Sequence, residues 1–247
     1  MNDYDSYFIG DPAAQMDDWI YQGQSDTCAV AAEASIINQF LDVPMSLADA
    51  SYISASNGWW EPGGGTCPDE IGNLMDMAGI PNHTVMDASI DQLVSELQNG
   101  HGVIVGVNSS ELWDEGIWND IKEFFIEAFG LDSGTFNPAD HAVTITGVDF
   151  NDPKNPMAIL NDSANPNGAA VRYPLDQFVD AWSNSGFRYT ATDVPIPNQI
   201  SPADLGMDLG DILRLGTTLY TGDMFAGELV NLSVDAITEL DWEQLLA

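Results

Sequence analysis

The sequence predicts an α+β fold, with helices in its first half and an antiparallel sheet in its second. The helical half rests on an Ala-rich stretch, 28–41, in which Val30, Ala34, Ile37 and Leu41 recur on one helical face. The sheet half rests on short apolar runs separated by turn segments such as Asp152-Pro153-Lys154-Asn155-Pro156 and Asn165-Pro166-Asn167-Gly168.

In chain order, residues 1–24 are polar and aromatic without a period, and read as an arm that packs over the core and leads into Cys28. Asp26 or Thr27 is the candidate N-cap of the helix that follows, which puts Cys28 in its first turn. Residues 46–55 read as a short helix and 59–65, with three glycines, as a loop. Thr66 and Pro68 open a helix that runs to Ala78, with Gly79 as its stop. A strand over 82–86 and a helix over 89–99, capped by Asp87 or Ser89, precede a continuous apolar run at 102–107, the candidate central strand. An insert rich in Trp, Phe and acid spans 109–138, helical over 121–129. Strands follow at 141–148, 157–161 and 170–173, then a helix at 175–183 and a last strand at 187–192. Val194-Pro195-Ile196-Pro197 reads as a linker. It divides a domain, 1–193, from an acidic extension, 194–247, whose weak helical pieces mark a docking or partly disordered segment.

Composition narrows the function. Of 247 residues 45% are apolar, enough for a packed core, while 39 Asp and Glu against 5 Lys and Arg give a formal charge of -34. Such a field repels nucleic acid and anionic membrane surfaces and favours cationic or neutral substrates. It also suits a high-salt habitat. No apolar stretch is long enough to span a bilayer, the N-terminus lacks the basic and apolar regions of a signal peptide, and two cysteines are too few for a disulfide scaffold. A cytoplasmic setting is the expectation.

Chemistry enters through three segments: Gln22 to Cys28, Asp140-His141-Ala142-Val143, and Ile159-Leu160-Asn161-Asp162. A thiol at a helix N-terminus is favoured as a thiolate by the dipole and exposed N–H groups. A glutamine upstream supplies an oxyanion donor beside the Cys28 N–H, and either Gln22 or Gln24 suits that role. His141 opens an apolar strand, a rigid mount for a base, and Asp162 closes the next one, in reach to fix its tautomer. Asp140 is the local competitor, but adjacent residues on a strand point to opposite faces. His83 and His101 lie in a turn and a glycine loop. Cys67 fits a second thiol, a disulfide partner or a packing residue; Asp69 and Glu70 beside it oppose a thiolate, so packing is favoured. Gln24, Trp59, Trp60 and Trp113 are the candidate binding residues. Zinc spacings and a phosphate loop are absent, and the loop 149–152 lacks the Gly and Glu of an EF-hand, so no metal or cofactor is expected.

Together these segments resemble the papain-like cysteine peptidases and, within them, the bacteriocin-processing (double-glycine leader) branch and its stand-alone bacterial relatives, over roughly residues 15–192. The resemblance implies an α+β fold whose central helix begins at the cysteine and packs on an antiparallel sheet. It implies Cys28 as nucleophile, His141 as general base, Asp162 as orienter and Gln22 as oxyanion donor, acting on a peptide or protein. Ala29 stands where that branch usually has glycine, and the insert and extension lie outside the resemblance. Two alternatives stay open: an acyl transferase with the same residues, and a catalytically silent module that binds a partner through Trp113, Trp118, Phe124 and Phe125.

Overall fold

A buried helix lying against an antiparallel sheet positions Cys28 and His141, with Asp162 just past the end of a strand. The computed structural model describes residues 8–113 and 139–197. The helix 121–129, Trp118, Phe124, Phe125 and nearly all of the extension lie outside the described residues.

The central helix, α2 (Cys28–Asn38), is buried on all sides from Ala29 to Asn38, not on one face as its pattern suggests. Its small residues allow this, because neighbours approach closely all round. It packs with α3 (Leu47–Ser56) and α4 (Asn73–Met77) into one apolar cluster that contains Ile36, Ile37, Phe40, Leu74 and Met75. The helix expected over 66–78 is broken. Pro68–Glu70 form a single 3₁₀ turn, Ile71 is extended and Gly72 sits at φ 111°, a conformation that glycine alone adopts readily.

The sheet is seven-stranded and antiparallel, in the order β4 (Asn82–Val85), β9 (Tyr189–Thr192), β5 (Val103–Val107), β6 (His141–Asp149), β7 (Met157–Asn161), β8 (Val171–Pro174). The arm adds β1 (Phe8–Gly10) beside the far end of β6, with Ile9 opposite Val148, followed by the single turn α1 (Pro12–Gln15). A bulge between Ile145 and Gly147 turns β6 there, and the Thr146 hydroxyl donates to the Ile159 carbonyl (3.0 Å).

Alternation along β5 divides the interior. Val103, Val105 and Val107 join Val143 and Ile145 in a cluster with α5 (Ile90–Gln98) and α7 (Leu175–Ser183), whereas Ile104 and Ala142 belong with α2. Ser89, not Asp87, caps α5 through a capping box with Gln92. A two-stranded hairpin, β2 (Trp60–Glu61) and β3 (Gly65–Thr66), replaces the loop expected at 59–65. Residues 194–197 are docked: Ile196 packs on the α2 cluster and its N–H donates to the Gly100 carbonyl (2.8 Å).

Candidate active site

Cys28 is the first residue of α2, half-buried, with Thr27 in the N-cap position but making no side-chain cap. The first-turn N–H groups of a helix have no intrahelical acceptor, so the Cys28 N–H is available to a ligand. Asp26 does not cap. Its Oδ2 crosses to the hairpin and accepts from the N–H groups of Gly63 (2.6 Å) and Gly65 (3.1 Å), while its carbonyl accepts from the Trp60 indole (3.2 Å). A cleft of about 580 Å³ opens above the thiol, lined by Gln22, Cys28, the glycines 63–65 and His141.

His141 is almost fully buried and its Nε2–H donates to Asp162 Oδ1 (2.8 Å). Nδ1 is therefore the nitrogen placed to serve the thiol. Burial alone lowers an imidazole pKa, but the Asp162 carboxylate and the Cys28 thiol outweigh it, so His141 is held well above its ordinary value. For Asp162 the balance runs the other way. Burial pushes its carboxyl up, and His141, the Trp113 indole and the Ala164 N–H pull it below the usual range.

Asp162 is fully buried and each of its carboxylate oxygens has two partners: Oδ1 takes His141 and the Ala164 N–H (3.0 Å), Oδ2 the Trp113 indole (3.0 Å) and the Tyr173 hydroxyl (3.2 Å). Its backbone is tied as well. The N–H donates to the Gly168 carbonyl (2.9 Å) and the carbonyl accepts from the Trp19 indole (2.9 Å). Ser163, next in the chain, donates from Oγ to Gln22 Oε1 (2.6 Å) and accepts from the Gln22 N–H (2.9 Å). Gln22 Nε2 donates to the Ser25 carbonyl (2.5 Å), which fixes the amide orientation and leaves its second hydrogen for the cleft.

The structure thus brings Cys28, His141, Asp162 and Gln22 together. Gln24 is exposed and does not line the cleft. Trp59 and Trp60 pack against the α2 cluster; the glycine tip of their hairpin, rather than either indole, faces the cleft. Trp113 is buried with its ring 5.3 Å from that of His141, so it supports the site from within and presents nothing to a partner. Asp140 lines the cleft but spends its carboxylate on the Ser109 N–H (2.7 Å) and hydroxyl (2.8 Å) at the start of α6 (Ser109–Leu112). Cys67 is exposed, not packed. His83 and His101 lie elsewhere, bonded to Asp193 (2.6 Å) and Glu96 (2.6 Å). Among the described residues no group of three His, Cys, Asp or Glu could hold a metal, and Asp149 of the loop 149–152 is paired with Arg172.

Trp19, Ser163, Tyr173 and Glu33 carry no sequence signal, since each matters through a partner distant in the chain. Glu33, on α2, is buried and accepts from the N–H groups of Gly72 (3.0 Å), Leu74 (3.0 Å) and Met75 (3.3 Å) at the start of α4. Burial outweighs those bonds and pushes its pKa up to about 7.

A central helix opening on a cysteine, packed on an antiparallel sheet that carries the histidine and aspartate, defines a papain-like α+β fold. The chain belongs to the Peptidase_C39 like family, which it matches over residues 11–190. It is 28% identical over 202 residues to Uncharacterized protein Rv1268c of Mycobacterium tuberculosis and, equally, to Uncharacterized protein Mb1299c of Mycobacterium bovis, a match covering 71% of this chain and 80% of theirs. Among solved structures, a putative C39-like peptidase from Bacillus anthracis shares the fold at 13% identity and a TM-score of 0.52, covering 77% of this chain and 99% of that one. No helix among the described residues is long and apolar enough to cross a membrane.

Proposed function

We propose that the protein hydrolyses a peptide or amide bond through a thioester on Cys28. The observation that carries the reading is the line of contact from thiol to imidazole to buried carboxylate at the floor of the cleft. His141, held above its ordinary value by the Asp162 carboxylate, takes the proton of the Cys28 thiol as attack begins. The thiolate attacks the substrate carbonyl carbon, and the oxyanion is received by the Cys28 N–H and the second Nε2 hydrogen of Gln22. His141 passes its proton to the leaving nitrogen as the C–N bond breaks. Water then attacks the thioester while His141 takes a proton from it and returns that proton to sulfur as the C–S bond breaks, which releases the acid and restores the thiol. Asp162 stays ionised throughout and holds the ring.

The expected substrate is a peptide or protein, with no cofactor taking part. The full chain is incubated with a peptide mixture and new termini are read by mass spectrometry; cleavage that vanishes in Cys28→Ala and His141→Ala supports the reading. Cleavage that survives either variant overturns it. Peptides carrying two adjacent glycines form the arm that tests the narrower resemblance to bacteriocin processing.

A further inference from the structure

Asp162 is surrounded by donors that differ in kind. The Ala164 N–H and the Trp113 indole N–H can only donate, whereas the Tyr173 hydroxyl can turn and accept. One obligate donor therefore faces each carboxylate oxygen, and each sits in a fully buried setting where an unmatched polar contact is costly. In this pocket either orientation of an amide in place of the carboxylate meets an N–H donor. With its NH₂ at the Oδ1 position, an Asn would oppose Ala164 and force His141 into the wrong tautomer. With its NH₂ at the Oδ2 position, it would oppose Trp113.

We propose that Trp113 and Tyr173 are positioning residues that hold Asp162 as an oriented acceptor for His141, and that the Trp113 indole is what excludes an amide from that position. This rests on the reading of Cys28, His141 and Asp162 as a catalytic unit. Trp113 acts twice, because its ring also lies against the imidazole at 5.3 Å, so it fixes both ends of the His141 to Asp162 bond. Tyr173 reaches the same oxygen from β8, two strands away from His141.

The consequence is a rescue that a purely structural role does not give. Asp162→Asn fails because of the donor that Trp113 presents. In Asp162→Asn combined with Trp113→Phe that donor is gone, so the amide can turn its oxygen to His141 and Ala164 and give its NH₂ to the Tyr173 oxygen. The second substitution repairs the first.

The probe is iodoacetamide on the full-length protein at pH 6 and pH 8.5, with alkylation followed on the Cys28 peptide by mass spectrometry, since Cys67 is exposed and also reacts. Wild type is expected to react at pH 6 at nearly its pH 8.5 rate. Behaviour of an ordinary thiol, slower at pH 6 by a factor of about 100 or more, overturns the catalytic reading itself. Given the fast wild type, Asp162→Asn is expected to lose about 100-fold at pH 6, and the double variant to regain about tenfold of it. A double variant no faster than Asp162→Asn overturns the proposal, because independent structural losses would only add. Tyr173→Phe, which keeps the ring and its packing, is expected to lose about threefold to tenfold at pH 6. An unchanged profile in that variant also overturns the proposal, and it does so even if Trp113→Phe fails to fold.

Discussion

On the sheet side of the cleft, Asp162 is buried and both its side chain and backbone are fully bonded, whereas on the loop side Asp26 reaches from a half-exposed turn to hold two glycine N–H groups of a hairpin. Both walls are organised by a carboxylate that accepts several hydrogen bonds. They differ in what surrounds it. On the proposed reading the sheet wall fixes a proton path, where a small error in ring orientation is costly, so strands and buried donors carry it. The loop wall, on the same reading, would admit a chain of variable side chains, and short strands tipped with glycines suit that purpose.

The largest expected effects separate the two walls by stability. Cys28→Ala and His141→Ala should each cost about 10⁴-fold or more in turnover. Cys28 is half-buried in a helix that favours alanine, so its loss should leave the melting temperature close to wild type. His141→Ala strands the Asp162 charge without its cationic partner in the interior and should cost about 3 to 5 kcal/mol. Equal stability of the two variants, by chemical denaturation, would mean that the sheet wall is not electrostatically strained toward His141.

Glu33 sharpens the contrast, because it is a second buried carboxylate with no cation beside it among the described residues. Three N–H groups at a helix start favour its charge, yet burial wins and the pKa rises, whereas His141 reverses that outcome at Asp162. The sign follows from linkage. With a folded pKa of about 7, above the ordinary 4.5 of a glutamate, the native state binds the extra proton between those two values. The stability this group gives is complete below about 4.5 and is lost as pH rises through about 7. Glu33→Gln should therefore flatten the decline of stability over that window by roughly 3 kcal/mol. Urea unfolding of both proteins at several pH values measures it, and parallel curves would place the Glu33 charge in a better solvated setting.

Gly168 tests how far the sheet wall depends on close backbone approach. A Cβ there would fall 1.9 Å from the Asp162 carbonyl oxygen, so Gly168→Ala must displace the turn that holds Asp162. A loss of about 1 to 3 kcal/mol, with a fall in kcat, is expected. A variant as stable and as active as wild type would show that the turn yields without moving Asp162.

Much of this was legible because local chemistry and tertiary placement agree. Strands β5, β6 and β7 and helices α3, α5 and α7 lie within a few residues of their expected bounds, each marked by an apolar period with a turn or cap beside it. The order of Gln22, Cys28, His141 and Asp162 also pointed to one cleft. What escaped was whatever depends on a distant partner. Nothing in the local pattern around Gly72 says that Glu33 will hold the N–H groups where the helix restarts. Trp113 read as a surface aromatic because its neighbours are acidic and aromatic, yet a buried carboxylate 49 residues away claims its indole. Asp26 is a good N-cap by type, but the hairpin's N–H groups compete for it.

Asp26 gives the smallest effect and the most direct test of the difference between the walls. Asp26→Ala removes both bonds to the glycine tip while leaving the Trp60 indole on its backbone carbonyl, so the hairpin should stay attached but lose its fixed edge. A partly exposed carboxylate bonded to two N–H groups contributes about 1 kcal/mol, which predicts a small drop in melting temperature. The thiol, imidazole and Asp162 keep every contact they have, so the chemical step should be nearly untouched. Substrate, however, must now order the glycine edge as it binds, and that cost falls on association. With a cleaved peptide in hand, KM should rise by about fivefold to tenfold while kcat changes less than twofold. A fall in kcat as large as that of an Asp162 variant would mean that the loop wall is as tightly pre-organised for the reaction as the sheet wall, and the distinction between a fixed and an accommodating side of the cleft would have to be given up.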